Sequence, residues 1–417
     1  MSISLMLSCA AATALVVLVR RIRVPDGMTE PWKYRLMISL FVLPRILEYI
    51  YVLLNRRKPF APVQAKRLIY ESTEARPKET RKGSNIRSRV TDFDGVRVRL
   101  YEPIRKKNGL QPGILFFHGG GMVYGSADFY NHLTRKIAEE LDTFVASVDY
   151  RLAPEHPFPI GFNDNLRAVK WFLNNATDFD VDAHRVCAVG DSAGGCFAAG
   201  LSQVVYDDVT IPNFKLQVLI YPALQQLDFK THSYQKYEAE FGDGGFLSKL
   251  DVCKYVSMYL HGLVDPVTTS RSMQNEHISP SVLSSSPFIQ YVDRNLIPEE
   301  LRLSGKYAKQ KEDMEKCTGS DEVWNEVEKY YTDPRFSPLV RNDMQGLPSA
   351  MILTCEFDCL RDDGILYARR LADAGVSTVW KNYENAFHGI MWFATSGRFE
   401  VGRQMFEDMI AFIQQNI

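Results

Sequence analysis

The chain carries almost no net charge: 49 lysines and arginines stand against 50 aspartates and glutamates, a formal −1 at pH 7. It has no basic stripe interleaved with aromatics, so nothing draws it generally to nucleic acid. Cysteine is sparse. The count is seven, an odd number that leaves at least one thiol unpaired within the chain, and no spacing among them matches a zinc site. Cys355 and Cys359 span a strand end and a loop and read as ordinary thiols. No metal-ligand set, cofactor motif, internal repeat or low-complexity tract is present. Long apolar runs are also scarce; the uncharged one is Ile3–Val19. What the chain does have is core. Apolar residues make up 46% of its 417 positions, and α/β folds with insertions reach this length as one domain.

Two short motifs stand out. His118-Gly119-Gly120-Gly121 follows the strand-like run Gly113–Phe117, and Gly190-Asp191-Ser192-Ala193-Gly194-Gly195 follows Arg185–Val189. The second has the G-x-S-x-G form of a nucleophile elbow, where a serine sits on a strained strand-to-helix turn and side chains at the flanking glycines would clash. The first offers backbone N–H groups unobstructed by side chains, which suits an oxyanion. Either motif alone is a weak signal; in this order, and both after strands, they point to acyl transfer.

Such a site needs an acid and then a histidine downstream. Ala350–Thr354 reads as a buried strand with Asp358 just past its end; Glu356 competes for the acid role. His388 follows a strand beginning at Val379 and precedes a C-terminal helix. His132, His156, His184, His232, His261 and His277 do not follow the last strand and read as surface or capping residues.

On these residues the chain resembles the hormone-sensitive-lipase group of α/β-hydrolases, within it the arylacetamide deacetylase and neutral cholesterol ester hydrolase branch. The run Asp149-Tyr150-Arg151-Leu152-Ala153-Pro154-Glu155-His156-Pro157-Phe158-Pro159 carries the resemblance together with the two glycine motifs, Asp358 and His388. Glu30-Pro31-Trp32-Lys33, Asn295–Glu299 and Ser337-Pro338-Leu339 extend it over nearly the whole chain. One departure is visible. Members of the branch can carry a cysteine just after the glycine run, able to pair with one near the acid. Here that loop reads Met122-Val123-Tyr124-Gly125, so Cys355 has no evident partner and no disulfide is carried over.

The expected roles follow. Ser192 is the nucleophile, His388 the general base, and Asp358 orients the imidazole and stabilises its charged form. Gly119, Gly120 and Ala193 are expected to give the oxyanion N–H groups, each worth about 3–4 kcal/mol in the transition state. His118, Gly121, Gly190, Asp191 and Gly194 support the two motifs. His118 holds the glycine backbone in shape, and Asp191 anchors the elbow.

The alternation of strands and helices from Arg87 onward predicts a mostly parallel central sheet flanked by helices, an α/β-hydrolase fold. Arg87–Thr91 and Val96–Tyr101 flank the hairpin signal Asp94-Gly95. The expected organisation is an N-terminal membrane anchor over 1–23, an amphipathic cap segment and linker over 24–85, the polar and charged linker itself at Gln64–Ser84, and a catalytic domain over 86–417. Residues from about 225 to 334 break the alternation and read as a cap insertion covering the serine, joined by the N-terminal segment and containing a helix over Phe246–Leu260.

Arg20-Arg21-Ile22-Arg23 comes after the apolar run rather than before it, which favours an uncleaved anchor over a cleavable signal. Leu36–Leu54 carries Pro44, Arg45 and Glu48 and reads as an amphipathic helix on the membrane or at the site entrance, or as a packed helix of the cap. The charge order places the domain in the cytoplasm. The resemblance implies the endoplasmic reticulum lumen, where the sequon Asn175-Ala176-Thr177, expected in an exposed loop, can be glycosylated. The expected partners are a lipophilic ester substrate and the membrane, with no nucleic acid and no cofactor. A non-catalytic receptor on the same fold is the alternative, but such proteins usually lose a triad member, and here all three are present.

Overall fold

The chain enters its sheet through a hairpin. β1 (Ile86–Phe93) and β2 (Val96–Pro103) pair antiparallel around Asp94 and Gly95, whose φ angles are 51° and 79°. A two-residue turn of this hand needs positive φ at both positions, which Asp tolerates and Gly adopts freely. β2 pairs antiparallel with β4 (Phe144–Val148). All later pairings are parallel and include β3 (Gln111–Phe117), β5 (Val181–Asp191), β6 (Leu216–Ile220), β7 (Ser349–Phe357) and β8 (Thr378–Phe387). The eight strands run in the order β1-β2-β4-β3-β5-β6-β7-β8. Ile114–Phe117, Val186–Val189, Leu216–Ile220 and Ala350–Leu353 are buried without alternation. That pattern belongs to strands covered by helices on both faces. The computed structural model describes residues 22–40, 50–55, 58, 60–73, 79, 81–105, 108–242, 244–285, 287–302 and 319–417.

α1 (Pro31–Leu40) and α2 (Ala61–Thr73) precede the sheet, and residues 50–54 between them are also helical. Within it come α3 (Asn131–Leu141), α4 (Ile160–Asn174) and α5 (Ala193–Asp207). Between β6 and β7 lie α6 (His232–Phe241), α7 (Lys249–His261), α8 (Pro266–Gln274), α9 (Pro280–Ser285) and α10 (Asp321–Tyr331). α11 (Arg361–Asp373) follows β7, and α12 (Glu400–Asn416) closes the chain. In α7, Ser248 and Asp251 form a reciprocal capping box and Gly262 stops the helix in the left-handed region. The helix anticipated over Phe246–Leu260 therefore begins three residues later, at Lys249.

The N-terminal segment departs further from expectation. Gln64–Ser84, anticipated as a linker, opens inside α2. Ala61, Val63 and Ala65 are buried, and the charges that follow them have protein partners: Lys66 Nζ lies 4.8 Å from the Tyr124 ring centroid and Arg67 bonds to two loops. α1 is two-sided, with Tyr34 and Met37 buried and Trp32 and Leu36 exposed. The anticipated anchor at Ile3–Val19 and the middle of the Leu36–Leu54 segment lie outside the described residues. No helix among the described residues is long and apolar enough to cross a membrane.

Candidate active site

Ser192 joins β5 to α5 as the N-cap residue, with φ 55° and ψ −120°. A non-glycine residue there is strained by about 1–3 kcal/mol, which the surroundings must hold in place. They do so by contact. A Cβ on Gly190 would lie 2.1 Å from Gly194 O, and one on Gly194 would lie 1.9 Å from Phe117 O. The Ser192 N–H donates to Ile220 O at 2.8 Å, tying the elbow to β6. The contact at Gly194 also brings the two sequence motifs together, because Phe117 ends β3 and leads straight into His118.

The glycine loop is then shaped from behind. The buried His118 ring stacks on Tyr150 with centroids 4.3 Å apart, and its Nδ1 lies 2.8 Å from Gly119 O. Tyr150 Oη donates to His118 O at 2.7 Å. Burial lowers the His118 pKa, so the ring is neutral and suits a scaffold rather than a second base. Gly120 has φ 114°, and a Cβ there would sit 2.2 Å from Tyr124 O; Gly121 has φ 65° and lies under the Tyr255 ring.

The structure corrects one of the three expected oxyanion donors. The Gly119 N–H is donated to Asp191 Oδ1 at 2.8 Å and is therefore not free to face a substrate. Gly120, Gly121 and Ala193 have N–H groups with no acceptor among the described residues. Asp191 also accepts from Tyr130 Oη at 3.0 Å. Burial raises its pKa to about 6, against the pull of these hydrogen bonds and of His388. It is an anchor between the elbow and the glycine loop.

Ser192 Oγ lies 2.9 Å from His388 Nε2, and His388 Nδ1 lies 2.7 Å from Asp358 Oδ2. Asp358 is buried and its Oδ1 accepts from the Leu360 N–H at 2.9 Å. Glu356 is committed elsewhere: it pairs with Lys236, with Arg361 at 2.8 Å and with Asn382 at 3.0 Å. These cations hold its pKa below the usual range despite burial. The Tyr221 ring lies 4.7 Å from the His388 ring, a neighbour with no sequence signal beyond its place after β6.

Other expected residues fall differently. His277 is not at the surface. It is buried against Phe229 and Tyr331 with its pKa lowered to about 4 by burial. His232 is also buried, and His132 packs edge-on to Trp392. Asn175 is half-buried at the end of α4 rather than in an open loop, because its side-chain amide donates back to Trp171 O at 2.7 Å. Cys187, Cys196, Cys253, Cys355 and Cys359 are buried free thiols. No group of three or more His, Cys, Asp or Glu side chains among the described residues is placed to hold a metal ion.

Distant segments reach the site. Tyr34 of α1 packs edge-on to Phe387, the residue before His388, and the Thr29 N–H donates to Asn385 O at 3.1 Å. From the insertion, Tyr255 covers Gly121 and Phe246 covers Gly389.

The sequence profile described as alpha/beta hydrolase fold matches residues 114–282 and 282–392. Arylacetamide deacetylase of Bos taurus is 34% identical over 408 residues, 94% of this chain and 94% of the relative. Neutral cholesterol ester hydrolase 1 of Pongo abelii is 34% identical over 423 residues, 98% of this chain and 99% of the relative. Among solved structures, an ester hydrolase from the metagenome of Lake Arreo, in complex with a derivative of bipyridine phosphonate, is 26% identical with TM-score 0.63, covering 92% of this chain and 98% of its own. A thermostable carboxylesterase cloned from a metagenomic library is 26% identical with TM-score 0.59, covering 85% and 95%.

Proposed function

The chain belongs to the family of the α/β-hydrolase fold, and from that premise we propose that it is a serine ester hydrolase acting on lipophilic esters through an acyl-enzyme on Ser192. The observation that carries this is the continuous path Ser192–His388–Asp358, with hydrogen-bonding distances of 2.9 and 2.7 Å. Ser192 gives its proton to His388 Nε2 as Oγ attacks the ester carbonyl. Asp358 holds the Nδ1–H and stabilises the imidazolium. The carbonyl oxygen becomes an oxyanion facing the N–H groups of Gly120, Gly121 and Ala193. His388 then protonates the departing alcohol. In the second half it takes a proton from a water that attacks the acyl carbonyl, then returns that proton to Ser192 Oγ as the bond to the acid breaks.

Several features support a lipophilic substrate. Phe246, Tyr255, Tyr124 and Phe129 surround the loops that carry the reacting groups, and relatives are named for arylacetamide deacetylation and neutral cholesterol ester hydrolysis. Residues 24–85 and about 225–334 act as the cap. The apolar run Ile3–Val19 tethers the domain to a membrane of the endoplasmic reticulum, with the catalytic domain in the lumen. An endoglycosidase-sensitive mass shift abolished by Asn175→Gln would bear on that orientation.

The test of the activity is hydrolysis of p-nitrophenyl butyrate by membranes carrying the wild-type chain beside Ser192→Ala. Activity that collapses in the variant is expected. Equal activity in both folded proteins would remove Ser192 as the nucleophile.

A further inference from the structure

We propose that Arg67, on α2, is a positioning residue for the oxyanion loop. Its guanidinium spans two separate loops: Nε donates to Val123 O at 2.8 Å and Nη2 to Ala153 O at 2.5 Å. Nη1 pairs with Glu155 at 2.9 Å. Both carbonyls belong to one hydrogen-bonded unit with the donor glycines. Gly120 O accepts from the N–H groups of Val123 and Tyr124, at 3.1 and 2.8 Å. Met122 O accepts from the Ala153 N–H at 2.9 Å. Arg67 thus closes a ring running from Gly120 through Val123 to Ala153 and back to Met122.

The ring matters because Gly120 and Met122 both hold positive φ, at 114° and 63°. Met122 is not glycine, so this turn is strained and needs outside fixing. A guanidinium is suited to it, with several donors in a rigid plane able to bind two carbonyls at once. The rest of α2 presses on the same loop. Lys66 lies over the Tyr124 ring, and Tyr70 packs edge-on to Tyr124 with centroids 5.9 Å apart. The N-terminal segment therefore contributes to transition-state geometry without touching the reacting atoms.

This inference rests on the hydrolase reading above, and the experiment separates the two. Full-length chains in membranes are compared as wild type, Arg67→Ala, Arg67→Lys and Glu155→Gln. Arg67→Ala is expected to lower kcat for p-nitrophenyl butyrate about ten- to hundred-fold with KM nearly unchanged, since small misplacements of donor groups cost on that order. It should weaken binding of an alkyl trifluoromethyl ketone, which forms a hemiketal oxyanion on Ser192, by a similar factor. Arg67→Lys should recover part of both losses. Glu155→Gln, which leaves both carbonyl contacts in place, should retain most activity. Unchanged kcat in Arg67→Ala overturns the proposal. So does a loss that appears in KM or in melting temperature and is not relieved in Arg67→Lys. Should Arg67→Ala fail to fold, Arg67→Lys decides: a lowered kcat and ketone affinity with wild-type melting supports the role, and wild-type values of both overturn it. Failure of the hydrolase reading would show in the wild type itself, as activity absent or independent of Ser192.

Discussion

The carboxylate of Asp191 accepts the N–H of Gly119 across 2.8 Å, so the residue before the nucleophile fixes the first glycine of the loop opposite it. The elbow and the glycine loop are one hydrogen-bonded body. Tyr130 and Tyr221 point at the same carboxylate.

Asp191 sets a pH-dependent stability. Its folded pKa is about 6, above the roughly 3.9 of an unfolded chain. The folded state thus holds the extra proton between those values, and stability falls as pH rises through that window, by about 3 kcal/mol once the group is ionised. Asp191→Asn removes this fall. Urea unfolding at pH 4.5 and 7.5 is expected to show a smaller pH difference in the variant than in the wild type; equal differences would contradict the assignment.

Asp358 and Glu356 separate chemistry from stability. Asp358→Asn is expected to lower kcat by about 10⁴-fold with little change in melting, because an amide N–H turned to Nδ1 holds the imidazole in the wrong tautomer. Glu356→Gln leaves buried Arg361 with Asp362 as its remaining charge partner and should cost about 1–3 kcal/mol, with the residual activity per folded molecule close to wild type. Steady-state kinetics beside thermal unfolding of both variants distinguishes them, and a reversed pattern would exchange their roles.

Gly194 is the tightest seam. Gly194→Ala puts a methyl 1.9 Å from Phe117 O, a backbone atom that cannot swing away. Loss of nearly all esterase activity is expected. Gly397→Ala meets nothing within 4 Å and bears only the strain of φ 64°, so a cost near 1 kcal/mol and retained activity are expected there. Equal behaviour of the two in an activity and melting comparison would show that the seam is softer than its geometry.

Tyr255 limits the space over Gly121. Truncation to Ala should raise the ratio of kcat/KM for p-nitrophenyl decanoate over acetate several-fold, since each methylene accommodated in an apolar pocket is worth about 1 kcal/mol or more. An unaltered chain-length profile would place the acyl group elsewhere.

What the sequence made legible was local. The strands around the elbow announce themselves as short apolar runs, and Gly190, Ser192 and Gly194 as a turn that only small residues permit. The triad order came from spacing along the chain. What stayed hidden depends on partners far away in sequence. Glu356 competed with Asp358 until Lys236, Arg361 and Asn382 were seen to occupy it. Gly119 read as an oxyanion donor because nothing in a glycine run tells which N–H is already taken. His277 sits among polar neighbours in sequence, yet Tyr331 of α10 packs over it. Gln64–Ser84 looked like a solvated linker because Lys66 and Arg67 are charged, and only the fold supplies the ring and carbonyls that receive them.

The order in which the triad appears along the chain has a consequence for biosynthesis. Ser192 and its elbow rest on β3, β5 and β6, but His388 stands beyond β8, 196 positions later in the chain. On the proposed mechanism, the serine is thus built during synthesis long before the group that activates it. A nascent or prematurely terminated chain carries an inert hydroxyl, and esterase activity switches on only when the last strand has been added at the sheet's far edge.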